Sequence, residues 1–429
     1  MALDRSVSRR RLLQLAGGAT VATALGGTLA ACGGSSGGTS SGGTLKVIGV
    51  GDQEPGLRKV LDSYKAAHSG FDFNLSFAPA DQVQTALRTQ LAGGNAPDVH
   101  VVYPGSGSAM SMVQLSKAGL LADLSSQSWT QKVPAGFKGA FQNDGKTYIY
   151  SPGSSMLGAI YNKKAFATAG VEPPTTWSEL LAVCEKLKGK GIVPIALGAQ
   201  TPWITQLIPY ALVPGTVYAK TPDFDDKMSA GQATFADSGW VDAMNKYLEL
   251  QKKGYFNDNP NGTTYEQATS MVATGKAAMA VQVSAVLSAF RAAAPAPDDL
   301  SMFPFPSTDV AADNWIPAGV VVGIAVSAKS KKADDAKSFL DYCGQQDNLN
   351  AWAEAVSCVP LFGDAKVDPA LTSFLPLLKA NKAVPFMDQR WPNAEVQPTH
   401  FAVVQQLLGG KTTVRDALKK MDDAYKKGA

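Results

Sequence analysis

The sequence predicts an α/β protein of two lobes, and three observations carry that prediction. From residue 44 onward, apolar runs of strand length alternate with stretches of helical period. Hydrophobic residues make up 45% of the 429 and charged residues 17%, so the chain is globular and long enough for two to three domains at roughly 150 residues each. More than one such α/β segment is present, without an internal repeat of fixed period. Periodicity alone leaves a single barrel as the alternative.

The first 31 residues read as an address. Ser8-Arg9-Arg10-Arg11-Leu12-Leu13 resembles the twin-arginine export signal, and Leu29-Ala30-Ala31-Cys32 resembles the bacterial lipobox, in which lipid is joined to the thiol before cleavage. The stretch between them holds Gly17, Gly18, Gly26 and Gly27 and is too weakly apolar for a stable membrane-spanning helix. Cys32 is therefore the expected lipidation site, and GGSSGGTSSGG over residues 33–43 a flexible linker. At about 0.8 kcal/mol per buried CH₂, two or more acyl chains would tether the mature body to the outer face of the cell membrane. The formal charge of +3 belongs entirely to this leader, where four arginines face Asp4. The remaining 35 basic and 35 acidic residues balance, so no global field favours nucleic acid.

Thr44 opens a buried strand, TLKVIGV, and Leu57, Val60, Leu61 and Tyr64 then repeat on one helix face. FDFNLSFA is a second strand, Asp81 with Gln84 resembles an N-cap pair opening a helix through Val83, Leu87 and Leu91, and Asp98 to Tyr103 is a third strand. This order implies a parallel sheet whose ligand crevice lies beyond the carboxyl ends of its strands. Thr176 with Glu179 forms a capping box, and Thr413 with Asp416 starts the last helix. IVPIALGA and GVVVGIAVSA read as further buried strands.

Several chemistries lack their motif. Both G-x-S-x-G matches fall in the linker, Gly145-Lys146-Thr147 and Gly410-Lys411-Thr412 lack the first glycine of a P-loop, and His68, His100 and His400 are scattered. Asn257, Asn259, Asn261 and Gly262 hint at a calcium loop, but Ala268 stands where its bidentate Glu belongs. No metal or cofactor is expected. A two-carboxylate glycosidase needs no local motif, so that class stays open. Export in a folded state from a reducing compartment makes no disulfide necessary; Cys343 and Cys358 either pair afterwards or stay buried thiols, as does Cys184.

Residues 97–124, PDVHVVYPGSGSAMSMVQLSKAGLLADL, begin a resemblance to the family 1 extracellular solute-binding proteins of ABC importers. It continues through DGKTYIYSP at 144–152, IYNKKAFATAGVEPPTTWSELLAVCEKLKGKGIVPIALG at 160–198, MVATGKAAMAV at 271–281, FPFP at 303–306 and the segment from Gly319 to Cys343. The resemblance implies a periplasmic-binding-protein-like fold of type II, with lobe 1 over 44–152 and 320–362, lobe 2 over 153–319 and 363–429, and a hinge between them. It implies a monomeric receptor without catalysis that captures a sugar by hinge closure and delivers it to a permease pair driven by a cytoplasmic ATPase. Another solute, such as a polyol, polyamine or peptide, is the alternative.

Sugar sites combine aromatic platforms with carboxylates and amides. Trp203, in GAQTPWITQ, stands where relatives resembling maltose-binding protein carry a platform, and Trp391, among Pro and polar residues, suits a cleft loop. Trp315 stays open between cleft and core, whereas Trp177, Trp240 and Trp352 fit structural roles. Glu54 is either a ligand carboxylate or a helix-start acid, and Tyr103 ends the third strand at the crevice. Relatives carry Gly-Ser-Trp where this chain has Gln282-Val283-Ser284, so Gln282 would supply an amide in place of a ring. Asp388 and His400 complete the candidates, each with a solvated or helical reading as its alternative.

Overall fold

A computed structural model describes residues 43–363 and 367–427. Cys32 and the export signal lie outside the described residues. The chain opens with β1 (Thr44–Val50), a helix over Glu54–Ala67, β2 (Asp72–Ala78), a helix over Ala80–Gly93, and β3 (Val99–Val102). A short hairpin, β4 (Gln142–Asn143) and β5 (Lys146–Thr147), leads to the long β6 (Gly153–Asn162). The strands that follow are β7 (Val193–Ile195), β8 (Ala277–Val283), β9 (Leu300–Phe303), β10 (Ile316–Gly319), β11 (Gly323–Val326), β12 (Val359–Pro360) and β13 (Ala383–Val384).

Two sheets result. In the first, ordered β11-β3-β1-β2, β1 runs parallel to β2 and β3 while β11 is antiparallel to β3. In the second, ordered β13-β10-β6-β8-β7, β6 also pairs with β9 and β12. Helices cover the sheets because β3, β8 and β11 are buried at every residue and β1 from Val47 onward, which means cover on both faces. Leu57, Val60, Leu61 and Tyr64 are buried on the first helix, as its period requires.

The chain passes between the sheets three times. Tyr150 still bridges Ile324 of the first sheet, but Gly153 already belongs to β6 of the second. Residues 320–322 carry the chain back from β10 to β11, and β12 returns it by pairing with Gly153 and Ser154. The two-lobed α/β fold is thus built from adjacent crossing strands.

Local capping follows the sequence at two of three places. Thr176 and Glu179 form a complete capping box, and Thr413 accepts from the Asp416 backbone N–H. The Asp81–Gln84 pair does not cap: Pro79 holds that position with fixed φ, and Gln84 instead donates to the Tyr103 hydroxyl at 3.2 Å. Thr264 and Gln267 form a further capping box. Cys184, Cys343 and Cys358 are all buried free thiols, with Cys358 Sγ beside Ser155 Oγ at 3.2 Å and its thiol pushed by burial up to about 11. Among the described residues no helix is long and apolar enough to cross a membrane.

Candidate functional site

The crevice predicted beyond β1 and β3 holds a chamber with an empty volume of about 980 Å³, counting its open mouth. The first lobe contributes Asp52 and Gln53, which follow β1, together with Gln84 and Tyr103. The second contributes Trp203, Gln206, Tyr210 and the end of β8. Val321 and Val322 of the crossing segment form the floor, and Phe386, Asp388, Gln397 and Phe401 close the remaining side. Apolar surface, five glutamine amides and two carboxylates therefore line one space, with no Lys, Arg or His among the described residues.

Burial in this space pushes Asp52 up to about 6, with Glu266 adding to the rise and a hydrogen bond from the Tyr265 hydroxyl at 3.1 Å opposing it. Burial likewise pushes Asp388 up to about 6. Gln397 Nε2 donates to Asp388 Oδ2 at 3.1 Å and sits 3.2 Å from Gln206 Oε1, so one amide links two walls. Tyr103, pushed by burial up to about 12, stays a neutral phenol. The buried Tyr210 hydroxyl lies beside the Asp388 carboxylate and opposes the rise of that carboxyl's pKa. Above pH 6 the chamber presents ionised acceptors, amides and phenols beside an indole, a set that binds hydroxyl groups and apolar ring faces.

Of the residues singled out in the sequence, Tyr103, Trp203 and Asp388 line the chamber. The others lie elsewhere. Glu54 accepts from Arg58 Nε at 2.6 Å and faces an outer groove. Gln282 is buried within β8, opposite Gly158, with its Oε1 unpartnered, while the next residue, Val283, reaches the chamber. Trp315 is partly buried and packs on the core. Trp391 is only 2% exposed and sits in an aromatic cluster with Tyr210, Phe235, Trp240 and His400, behind the chamber wall. His400 belongs to that core, where burial depresses it to about 3.

Asp52, Gln206, Tyr210 and Gln397 escaped the sequence reading. For Asp52 a signal existed: it lies two residues past the end of β1, and Glu54 has a legible partner at i+4 in Arg58.

The family comparison decides the identity, for residues 50–348 match the profile of the bacterial extracellular solute-binding proteins. The chain belongs to that family. A Multiple sugar-binding protein of Streptococcus mutans is 23% identical over 293 residues, 68% of each chain. A Probable sugar-binding periplasmic protein of Rhizobium meliloti is 29% identical over 231 residues, and there this solute-binding protein spans about half of the relative, 52%. Among solved structures, a chitin oligosaccharide binding protein superposes with TM-score 0.76 at 25% identity, covering 91% of this chain and 99% of that one. RafE in complex with raffinose superposes with TM-score 0.74 at 17% identity over 90% and 99%, a likeness of fold. These neighbours share the two-lobed architecture of periplasmic binding proteins.

Proposed function

We propose that the protein is the sugar receptor of an ABC importer: it encloses a saccharide between its lobes and hands it to a membrane permease. The observation that carries this reading is the chamber itself, where Trp203 offers a stacking face while Asp52, Asp388 and the surrounding amides offer acceptors and donors for hydroxyls. Relatives named for sugar binding and a neighbour named for a chitin oligosaccharide point the same way. Closure must be driven by differential affinity, since a solute bound equally by open and closed forms shifts nothing.

In this reading Tyr103, Trp203 and Asp388, joined by Asp52, Gln206 and Gln397, hold the solute, and no bond is made or broken. The lobes comprise residues 44–152 with 320–362, and 153–319 with 363–429. Cys32 carries the lipid after twin-arginine export, the linker lets a monomeric body move above the membrane, and a permease pair with its ATPase receives the solute. Thermal melting against a saccharide panel, with the recovered sugar analysed, tests the reading. A raised Tm with unchanged sugar is expected; turnover of any glycoside, or a response only to polyols, polyamines or peptides, would overturn it.

A further inference from the structure

Beyond the chamber lies an outer groove of about 1410 Å³ empty volume, and the two spaces share Asp52, Ala80 and Trp203 in their walls. Tyr265 stands in the outer groove at this shared boundary. Its ring lies 5.1 Å from that of Trp203, with the planes at 54°, and its hydroxyl donates to Asp52 Oδ1 at 3.1 Å. Asp52 follows β1 in the first lobe, whereas Tyr265 begins a helix that packs on β8 in the second, so this bond spans the lobes.

We propose that Tyr265 is a length-determining residue: wedged between Trp203 and Asp52, it shuts the chamber off from the outer groove and limits the solute to one or two sugar rings. The inference rests on the receptor reading above and names the substrate class of the same site.

The ring is held from both ends. Its backbone N–H donates to Thr201 Oγ1 at 3.0 Å, and the Thr264–Gln267 capping box fixes the first turn of the helix it begins. A saccharide running past Trp203 toward the groove would need the volume that the phenol fills. It would also have to break the Asp52 bond, leaving a partly buried carboxylate without its donor. Discrimination by such an obstruction works against the longer ligand while adding nothing to the shorter one. Beyond the obstruction, the groove offers Phe77 and the carboxylates Asp81 and Glu266, so there is room for further rings once the phenol is gone.

The test is calorimetric titration of the wild-type protein, Tyr265→Ala and the less invasive Tyr265→Leu with mono-, di- and trisaccharides of the glucose, xylose and galactose series. In the series that binds, the wild type should lose at least tenfold in affinity from di- to trisaccharide. The folded variants should reduce that loss to under threefold. Wild-type affinity for a trisaccharide matching that for its disaccharide would overturn the length filter alone, whether or not the variants fold. An undiminished loss in folded Tyr265→Leu would do the same. Binding of no saccharide by any of the three proteins would overturn the receptor reading, and the filter with it.

Discussion

Gly107 faces the backbone carbonyl of Asp388 so closely that a Cβ on that glycine would overlap the oxygen. Its neighbour Gly105, at φ +71, meets the backbone of Gln389 in the same way, and Ser106 between them donates from its backbone to Gln389 O at 3.3 Å and from Oγ to Trp391 O at 2.6 Å. The loop after β3 in one lobe thereby seats directly on the segment after β13 in the other. Gln389 extends the joint to the crossing segment through a 2.7 Å bond to Val320 O. The absence of side chains at 105 and 107 is what permits this close approach of the two segments.

Gly107→Ala should therefore disfavour closure more than folding. A methyl forced against backbone costs roughly 1 to 3 kcal/mol, which lowers apparent affinity by about fivefold to 150-fold. Calorimetry alongside thermal melting checks this; the expected outcome is weakened binding with a ligand-free Tm shifted by only a few degrees.

The two tryptophans from polar loops should separate cleanly. Trp203→Ala removes a ring from the chamber and should weaken saccharide binding by about 1 to 3 kcal/mol with modest loss of stability. Trp391→Ala instead leaves a cavity among Tyr210, Phe235, Trp240 and His400 and should cost about 3 to 5 kcal/mol of folding stability. Denaturant unfolding and calorimetry on both variants read the two effects independently.

How far the sequence carried the structure depends on where each residue finds its partners. β1 to β3 and the Thr176 and Thr413 caps are legible because strand period, helix period and caps are settled within a few residues. Trp203 and Trp391 both stand among Pro and polar neighbours, and nothing local distinguishes them. What buries Trp391 is Tyr210 and Phe235, brought from far along the chain, together with His400 one turn into the following helix. The same holds for Tyr265, whose partner Asp52 lies 213 residues away. The Asp81 cap failed for a local reason, since Pro79 already starts that helix.

Asp388→Asn should stabilise the ligand-free protein at neutral pH while weakening binding. Burial raises this carboxyl from its ordinary 3.8 to about 6, so the folded state holds the proton more tightly than the unfolded chain. The resulting cost is absent below about pH 4, grows as pH rises, and is complete above about 6. Discounted for contact with water in the cleft, it is on the order of 1 kcal/mol. Melting curves should coincide at pH 4 and favour the variant at pH 7.5. Sugar affinity at pH 7.5 should fall at least tenfold, because a charged acceptor contributes about 1.5 to 3 kcal/mol.

With two carboxylates and, among the described residues, no Lys, Arg or His lining the chamber, a sugar acid meets repulsion without a counter-charge. At pH 7.5 a hexuronic acid should bind at least 100-fold more weakly than the matching neutral hexose in competition titrations.

Small-angle scattering of the mature protein, recorded with and without the saccharide that most raises its Tm, tests the central claim most directly. A smaller radius of gyration on addition, with the sugar recovered unchanged, is the predicted result. Superimposable profiles at saturating saccharide would contradict capture by closure of the lobes.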